Sequence, residues 1–464
     1  MKQSCIFTSH FSLVTGEALC TLLFGVAVLL FFGLAYPHHL HYQEQYQLFL
    51  FDSNYVWEIV RQPGGIADLL GRFCTQFFHF AWVGAFIIAL LLSAIQLLTF
   101  RLAQWGWLYG LTFVPSFLLW LFLLDENALL GGVWAVLLTL LAMWGCFLIP
   151  KGWKRYVAII VAIPIFYWMA LGGSHFYRYP TVFPTLLYVA WLLAVALPFM
   201  ACVLHKWATA SSRPVVTFAS FALVALVMGI FVWKNANFKA EKVMQYDFMA
   251  CHQQWNRILE TVNKEKPNNQ IGVTVQNLAL AMRGMLADHL FDYNQNGILG
   301  LLPDVQSDAT SPMPTAEAFY QLGMIYVAQR TVFEAQEAIL DFQKSGRCYK
   351  RLAQTNLING NYEVARKYLM ALQKTLFYRD WANETLPLLS DEKAIANHPE
   401  YGRLRQWAYK EDFYFSDHVT PEMLESLFFG NTDNRLAFEY LKAYYMLTND
   451  REGYTRLLLH LKEQ

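Results

Sequence analysis

Six carboxylates fall in two short stretches of the chain: Glu44, Asp52, Glu58 and Asp68 between positions 36 and 75, and the adjacent pair Asp125 and Glu126. Carboxylates gathered on one surface can hold a divalent cation through hard oxygen ligands, or serve as the general base of a transfer reaction. Glu44, Asp52, Asp125 and Glu126 are the candidates for that chemistry. Their spacing matches no defined metal or catalytic motif, so a plainer reading stands beside it. Loop carboxylates are ordinarily solvated, and Asp125-Glu126-Asn127 has the composition of a polar turn that caps the next helix.

His38, His39 and His41 precede the first acids, and His175 lies further along. A histidine-rich tract can bind a transition metal. Without a cysteine or a helical His-x-x-x-His pair, histidines placed beside Tyr36 and Tyr42 at an interface are the better account, and no metal ligand set is assigned. Arg178 sits in Gly173-Ser174-His175-Phe176-Tyr177-Arg178-Tyr179-Pro180, where an arginine among aromatics can grip a lipid phosphate or anchor a helix end.

These groups need elements to hold them, and the charge distribution says which. Of the 35 basic and 35 acidic residues, only ten and seven fall between Met1 and Trp233. A spanning helix needs roughly 20 mainly apolar residues with its backbone hydrogen bonds closed internally. Seven stretches free of Lys, Arg, Asp and Glu qualify: Ala18 to Ala35, Gln76 to Leu98, Trp107 to Leu124, Ala128 to Ile149, Tyr156 to Gly172, Val182 to Leu204 and Val215 to Trp233. Buried helices of a soluble protein would not all lack a polar face. Trp105, Trp107, Trp153, Trp207 and Trp233 near the ends of these stretches suit the membrane–water boundary.

The first apolar segment follows a weakly basic stretch without a clear cleavage site, so it is expected to act as an uncleaved anchor. With the N-terminus in the cytoplasm, the cytoplasmic segments hold Lys2, Arg101, Lys151, Lys154, Arg155, Lys206 and Arg213, and the opposite side holds Arg61, Arg72 and Arg178. That excess favours this orientation, and seven spans then put the C-terminal half outside the cytoplasm. Lys234, Lys239 and Lys242 pull the other way.

The first external loop, 36–75, is long enough to carry structure of its own. Tyr46, Phe49, Leu50, Trp57 and Val60 share one helical face; Pro63-Gly64-Gly65 breaks the pattern, and Ile66, Leu69, Leu70, Phe73 and Phe77 resume it. Two amphipathic helices lying along the membrane surface are expected.

The domain that follows, 235–464, is polar and helical in period. Phe319-x-x-Leu322-Gly323-x-x-Tyr326 with Ala335 and Ile339 has tetratricopeptide-like offsets. Tyr349, Leu352, Ala353, Tyr362, Ala365, Leu369 and Leu372 repeat them, with Gly360-Asn361 at the turn. The expectation is all-α: a transmembrane domain over 1–234 and a soluble α-solenoid over 235–464 offering a surface for a protein partner. The scattered His252, His289, His398, His418 and His460 form no motif. Cys251 and Cys348 could pair only in an oxidising compartment, and nothing in the sequence brings them together.

Gln47-Leu48-Phe49, Pro63-Gly64-Gly65 and Thr75-Gln76-Phe77-Phe78, with the spans and the helical tail, resemble a bacterial family of uncharacterised multi-pass membrane proteins. A more distant similarity is to GT-C fold membrane glycosyltransferases, which have acids and surface helices in a long first external loop. It implies Glu44 or Asp52 as a first acidic site, Asp125-Glu126 as a second, Arg178 on a lipid phosphate, and possible use of a divalent cation. This chain departs from that pattern in having no acidic pair directly after its first span. The readings that follow are a cell-envelope protein presenting its repeats for assembly and, as the alternative, a transferase using a lipid-linked sugar. A transporter is disfavoured by the absence of charge within the spans, and no nucleic-acid partner is expected.

Overall fold

Long uncharged apolar stretches have one way to satisfy every backbone amide locally, and they take it. The computed structural model describes residues 2–103, 109–150, 152–203, 214–304, 312–339, 343–409 and 420–462. Trp105, Trp107, Lys151, Lys206, Trp207, Arg213 and His418 lie outside the described residues. The described chain is all-α; isolated bridges pair Ala128 with Tyr177 and Asn296 with Ile298, and no named strand forms. It divides into two compact units, Met1–Phe238 and Lys239–Gln464.

In the first unit the helices are α1 (Lys2–Leu30, continued by a π-helical turn to Ala35), α2 (Pro37–Tyr46), α3 (Ser53–Val60), α4 (Gly65–Thr75) and α5 (Ala81–Ala103). Then come α6 (Val114–Phe122), α7 (Leu130–Leu148), α8 (Trp153–Leu171), α9 (Thr185–Val203) and α10 (Pro214–Asn235). Among the described residues five helices are long and apolar enough to cross a membrane: Gly16–Ala35, Ala81–Ala103, Leu130–Leu148, Trp153–Leu171 and Val215–Asn235. Tyr109–Phe122 and Thr185–Pro198 are shorter apolar helices.

Helix α5 is central, packing on α1, α6, α7 and α9. Its fully buried Gln96 accepts from the Thr21 hydroxyl at 2.8 Å and donates to Thr112 at 3.2 Å, tying α1 and the 3-10 turn before α6 to it. Interhelical hydrogen bonds of this kind satisfy polar groups that burial among apolar side chains would otherwise leave unpaired.

The first loop differs from the two-helix expectation. Residues 47–52 are not helical, so Tyr46 ends α2 and the helix carrying Trp57 starts afresh at Ser53. Asp52 sets that start by accepting from the amides of Asn54 and Tyr55 at 3.0 and 3.3 Å. Helix α4 does not merely float at an interface. Asp68, Gly71 and Arg72 are buried, and a Cβ on Gly71 would stand 2.4 Å from the Gly131 nitrogen, so the backbones of α4 and α7 are in direct contact. Gly64, at φ +70°, makes the turn into α4, and a side chain there would meet the Phe176 ring at 2.9 Å.

In the second unit α11 (Phe238–Cys251), α12 (Trp255–Glu265) and α13 (Gln270–Met282) precede α14 (Pro312–Leu322), α15 (Ile325–Glu337), α16 (Gly346–Ile358) and α17 (Tyr362–Leu372). The short α18 (Arg379–Thr385), α19 (Glu392–Asn397) and α20 (Tyr401–Trp407) lead to α21 (Thr420–Gly430), α22 (Arg435–Thr448) and α23 (Arg451–Lys462). A common device stops five of these helices. Gln253, Gly284, Gly323, Gly360 and Asn449 all have positive φ. The next amide reaches back five residues in each case, as from Met324 to the Phe319 carbonyl at 2.9 Å and from Asn361 to Asn356 at 2.8 Å.

Gly360-Asn361 therefore lies at a turn between paired helices. Within the Phe319–Tyr326 stretch the helix stops at Leu322, because Gly323, at φ +89°, cannot continue it, and α15 starts at Ile325. The array also closes on itself. Helices α20 and α22 pack back on α14, and α22 also on α13, where nearest-neighbour stacking alone would leave an open face. Buried Asn434 fixes that return by donating to the Leu322 carbonyl at 2.9 Å while its Oδ1 caps α22.

Candidate functional site

The loop face of the first unit is built on a pairing of two turns. Between α6 and α7, Asp125 bends the chain by accepting from the backbone and side-chain amides of Asn127 at 2.9 and 3.1 Å. The segment between α8 and α9 lies along this turn: the Leu129 amide donates to the Phe176 carbonyl at 3.0 Å and the Arg178 amide to the Asn127 carbonyl at 2.8 Å. The Tyr177 hydroxyl donates to the other Asp125 oxygen at 2.6 Å. Burial, with the Asp125 carboxylate next to it, raises the Tyr177 phenol above its usual range. The Tyr177 hydroxyl thus keeps its proton and remains a donor over the ordinary pH range.

Helix α2 lies against these turns through two faces. Gln43 donates to the Ala128 carbonyl at 2.9 Å. Tyr42 and Tyr46, one helical turn apart, face Arg178. Its guanidinium donates to the Tyr42 hydroxyl at 2.8 Å and lies 4.0 Å from the Tyr46 ring centroid, with Tyr179 at 5.9 Å. Arg178 is buried, and among the described residues its side chain is held by aromatics and by no carboxylate. His39, also on α2, is fully buried beside Tyr36 and Phe32. Burial lowers its pKa to about 4, only partly opposed by a hydrogen bond to the Leu123 backbone and the Asp125 charge.

The other candidates are dispersed. Glu44 is buried on α2, two residues from Tyr42 and so on a different side of the helix. Asp52 is a helix cap, Glu58 is exposed on α3, and Glu126 is half-buried in the turn beside Asp125. Asp68 pairs with Arg72 within α4 at 2.8 Å, where burial opposes the Arg72 charge but the carboxylate outweighs it and raises its pKa. The structure brings Asp125 and Arg178 into one assembly and leaves Asp52 outside it. His38 and His41 have ring centroids 5.9 Å apart, and among the described residues no three His, Cys, Asp or Glu side chains converge as a metal site would require.

A family model for proteins of unknown function, DUF6057, matches residues 12–177 and 170–463. The chain belongs to that family. No curated protein and no solved structure matches it. The two matched stretches take in both compact units, so the DUF6057 family includes the loop face and the helical hairpins together.

For this DUF6057 chain the residues that sequence reading missed are the partners. Tyr42, Tyr46, Tyr177 and Gln43 give Arg178 and Asp125 their surroundings, and only the i, i+4 spacing of the two α2 tyrosines hinted at a shared face. In the second unit, a buried network also escaped notice. Arg347 makes two bonds to Asp247 at 2.5 and 2.8 Å, and Arg351 bonds Glu317 at 2.5 Å while lying 3.7 Å over the Tyr320 ring. Tyr320 donates in turn to Glu400 at 2.9 Å.

Proposed function

We propose that the chain is an integral membrane protein of the bacterial envelope that anchors a helical-hairpin unit outside the cytoplasm for assembly with a protein partner. The observation that carries this reading is the engagement of Asp52 and Asp125 with backbone amides. Two of the four acids that a transfer reaction would draw on shape turns, and the arginine that would meet a phosphate is enclosed by tyrosines.

The anchor consists of seven spans, five long and two short. Helix α8 supports it: none of its side chains is buried, and Ile160, Val161, Ile163 and Tyr167 are all well exposed, a surface stable in hydrocarbon and not in water. The excess of Lys and Arg on one side supports a cytoplasmic N-terminus, and two of the three basic residues assigned to the other side, Arg72 and Arg178, are buried. Partner binding draws support from α15, where Tyr326 and Phe333 stand exposed two turns apart on one face.

The test is crosslinking in intact cells followed by purification of the full chain. Replacing both Tyr326 and Phe333 by Glu is expected to abolish a specific crosslinked species while the chain stays in the membrane fraction. The same crosslinked species at wild-type yield would contradict the reading. The glycosyltransferase alternative would instead show as loss of a glycolipid product in Asp125→Asn and Glu44→Gln variants that fold normally.

A further inference from the structure

Helices α7, α8 and α9 border a groove of about 620 Å3, within the roughly 300–1,000 Å3 typical of ligand sites. Met143 and Phe147 of α7, Ile163 and Phe166 of α8, and Trp191 and Val195 of α9 line it. Several polar groups on its walls are already engaged. Thr139 donates to the Ala135 carbonyl and accepts from the Trp191 indole at 3.0 Å, and the Tyr188 hydroxyl donates to the Ala170 carbonyl at 2.8 Å. At one end Arg155 donates through Nε and Nη2 to the carbonyls of Ile149 and Phe147 at 2.7 and 2.9 Å, which leaves its Nη1 for a ligand. Such walls leave little for a polar ligand and suit a hydrocarbon chain.

On α8 the lining runs from Arg155 to Ala170, about 22 Å at ~1.5 Å per residue, longer than the ~15 Å of one leaflet. One end is basic. Lys154 is exposed beside Arg155, and Trp153 next to them is exposed as an interfacial anchor would be. The sequence has no Asp or Glu between Glu126 and Glu241, and neither Lys154 nor Arg155 takes part in an ion pair among the described residues. A counter-charge at this end is therefore expected from outside the chain.

We propose that this groove binds one acyl chain of an anionic phospholipid, with the phosphate held at Lys154 and Arg155. The inference rests on the membrane reading above. It is tested by native mass spectrometry of the full-length protein in detergent, titrated with phosphatidylglycerol or phosphatidylcholine. Phosphatidylglycerol is expected to bind more tightly by about fivefold or more, the worth of one basic residue near a headgroup. Lys154→Ala should remove that preference and Lys154→Arg keep it. Ala162→Phe, which fills the groove, should lose both lipids, and Ile160→Phe, on the outer side of α8, should bind as wild type.

Equal binding of the two lipids by the wild type would overturn the headgroup assignment, and undiminished binding by Ala162→Phe would overturn the groove. If Ala162→Phe does not fold, Val195→Trp fills the same space from α9. Carbonate extraction of the same membranes separates the two levels of failure. Release of the protein would contradict the membrane reading, whereas retention with unchanged lipid binding in the filled variants would contradict the groove alone.

Discussion

Arg178 lies over Tyr46, its guanidinium 4.0 Å from the ring centroid, and this contact joins the segment between α8 and α9 to α2 of the first loop. Among the described residues no carboxylate pairs with this buried charge, so the ring face and the Tyr42 hydroxyl supply its stabilisation. Burial works against the guanidinium, but the tyrosine oxygens outweigh it and keep the group protonated.

Replacing Arg178 by Ala should lower stability by about 1–3 kcal/mol through lost stacking and the lost hydrogen bond to the Tyr42 hydroxyl. Lys should rescue only part, because an ammonium cannot stack and donate in the same plane. Thermal melts of purified protein in detergent check this. Full rescue by Lys would show that charge alone matters.

Gly71 gives a sharper test of how α4 is seated. A Cβ there would stand 2.4 Å from the Gly131 nitrogen and 2.6 Å from its Cα, both backbone atoms that cannot swing away. Gly71→Ala should cost about 1–3 kcal/mol by forcing the two helices apart. A variant as stable as wild type would mean that α4 rests on the bundle loosely.

His39 makes stability depend on pH in a defined direction. Its pKa falls from the usual 6.5 to about 4 in the fold, so the folded protein refuses a proton that the unfolded chain accepts. Its contribution is complete above pH 6.5 and is lost as pH falls toward 4, by up to about 3 kcal/mol. His39→Gln should flatten the melting-temperature profile between pH 4.5 and 6.5 relative to wild type. Parallel profiles for the two proteins would contradict the assignment.

Much of this fold is legible in the sequence because a run without charge and with many Leu, Phe and Trp can only be a buried or lipid-facing helix. Gln96 was hidden for the same reason: one polar residue does not alter the character of α5, yet it holds three elements together. Asp52 before Ser53 was readable as a helix cap, but periodicity drew the helix across it to Tyr46. The Leu322-Gly323 pair shows what spacing leaves out. Its offsets matched a repeat, but offsets do not specify φ, and the positive φ of Gly323 ends the helix. The setting of Arg178 was beyond reach, since its tyrosines come from a distant loop through tertiary packing.

In the second unit, Arg347 and Asp247 are both largely buried and bonded through two contacts. Burial disfavours the Arg347 charge, and the Asp247 carboxylate restores it. Asp247→Ala should destabilise by about 3–5 kcal/mol, because it leaves a buried cation uncompensated. Denaturant unfolding should show the double variant Asp247→Ala with Arg347→Met recovering part of that loss. No recovery would mean that the residues act independently.

The central claim is an anchor of seven spans that leaves the hairpin unit outside the cytoplasm, and a reporter fused after Gln464 tests it most directly. An alkaline phosphatase fusion is expected to be active and a green fluorescent protein fusion dark, as for an extracytoplasmic C-terminus. A bright fluorescent fusion with an inactive phosphatase would contradict the account.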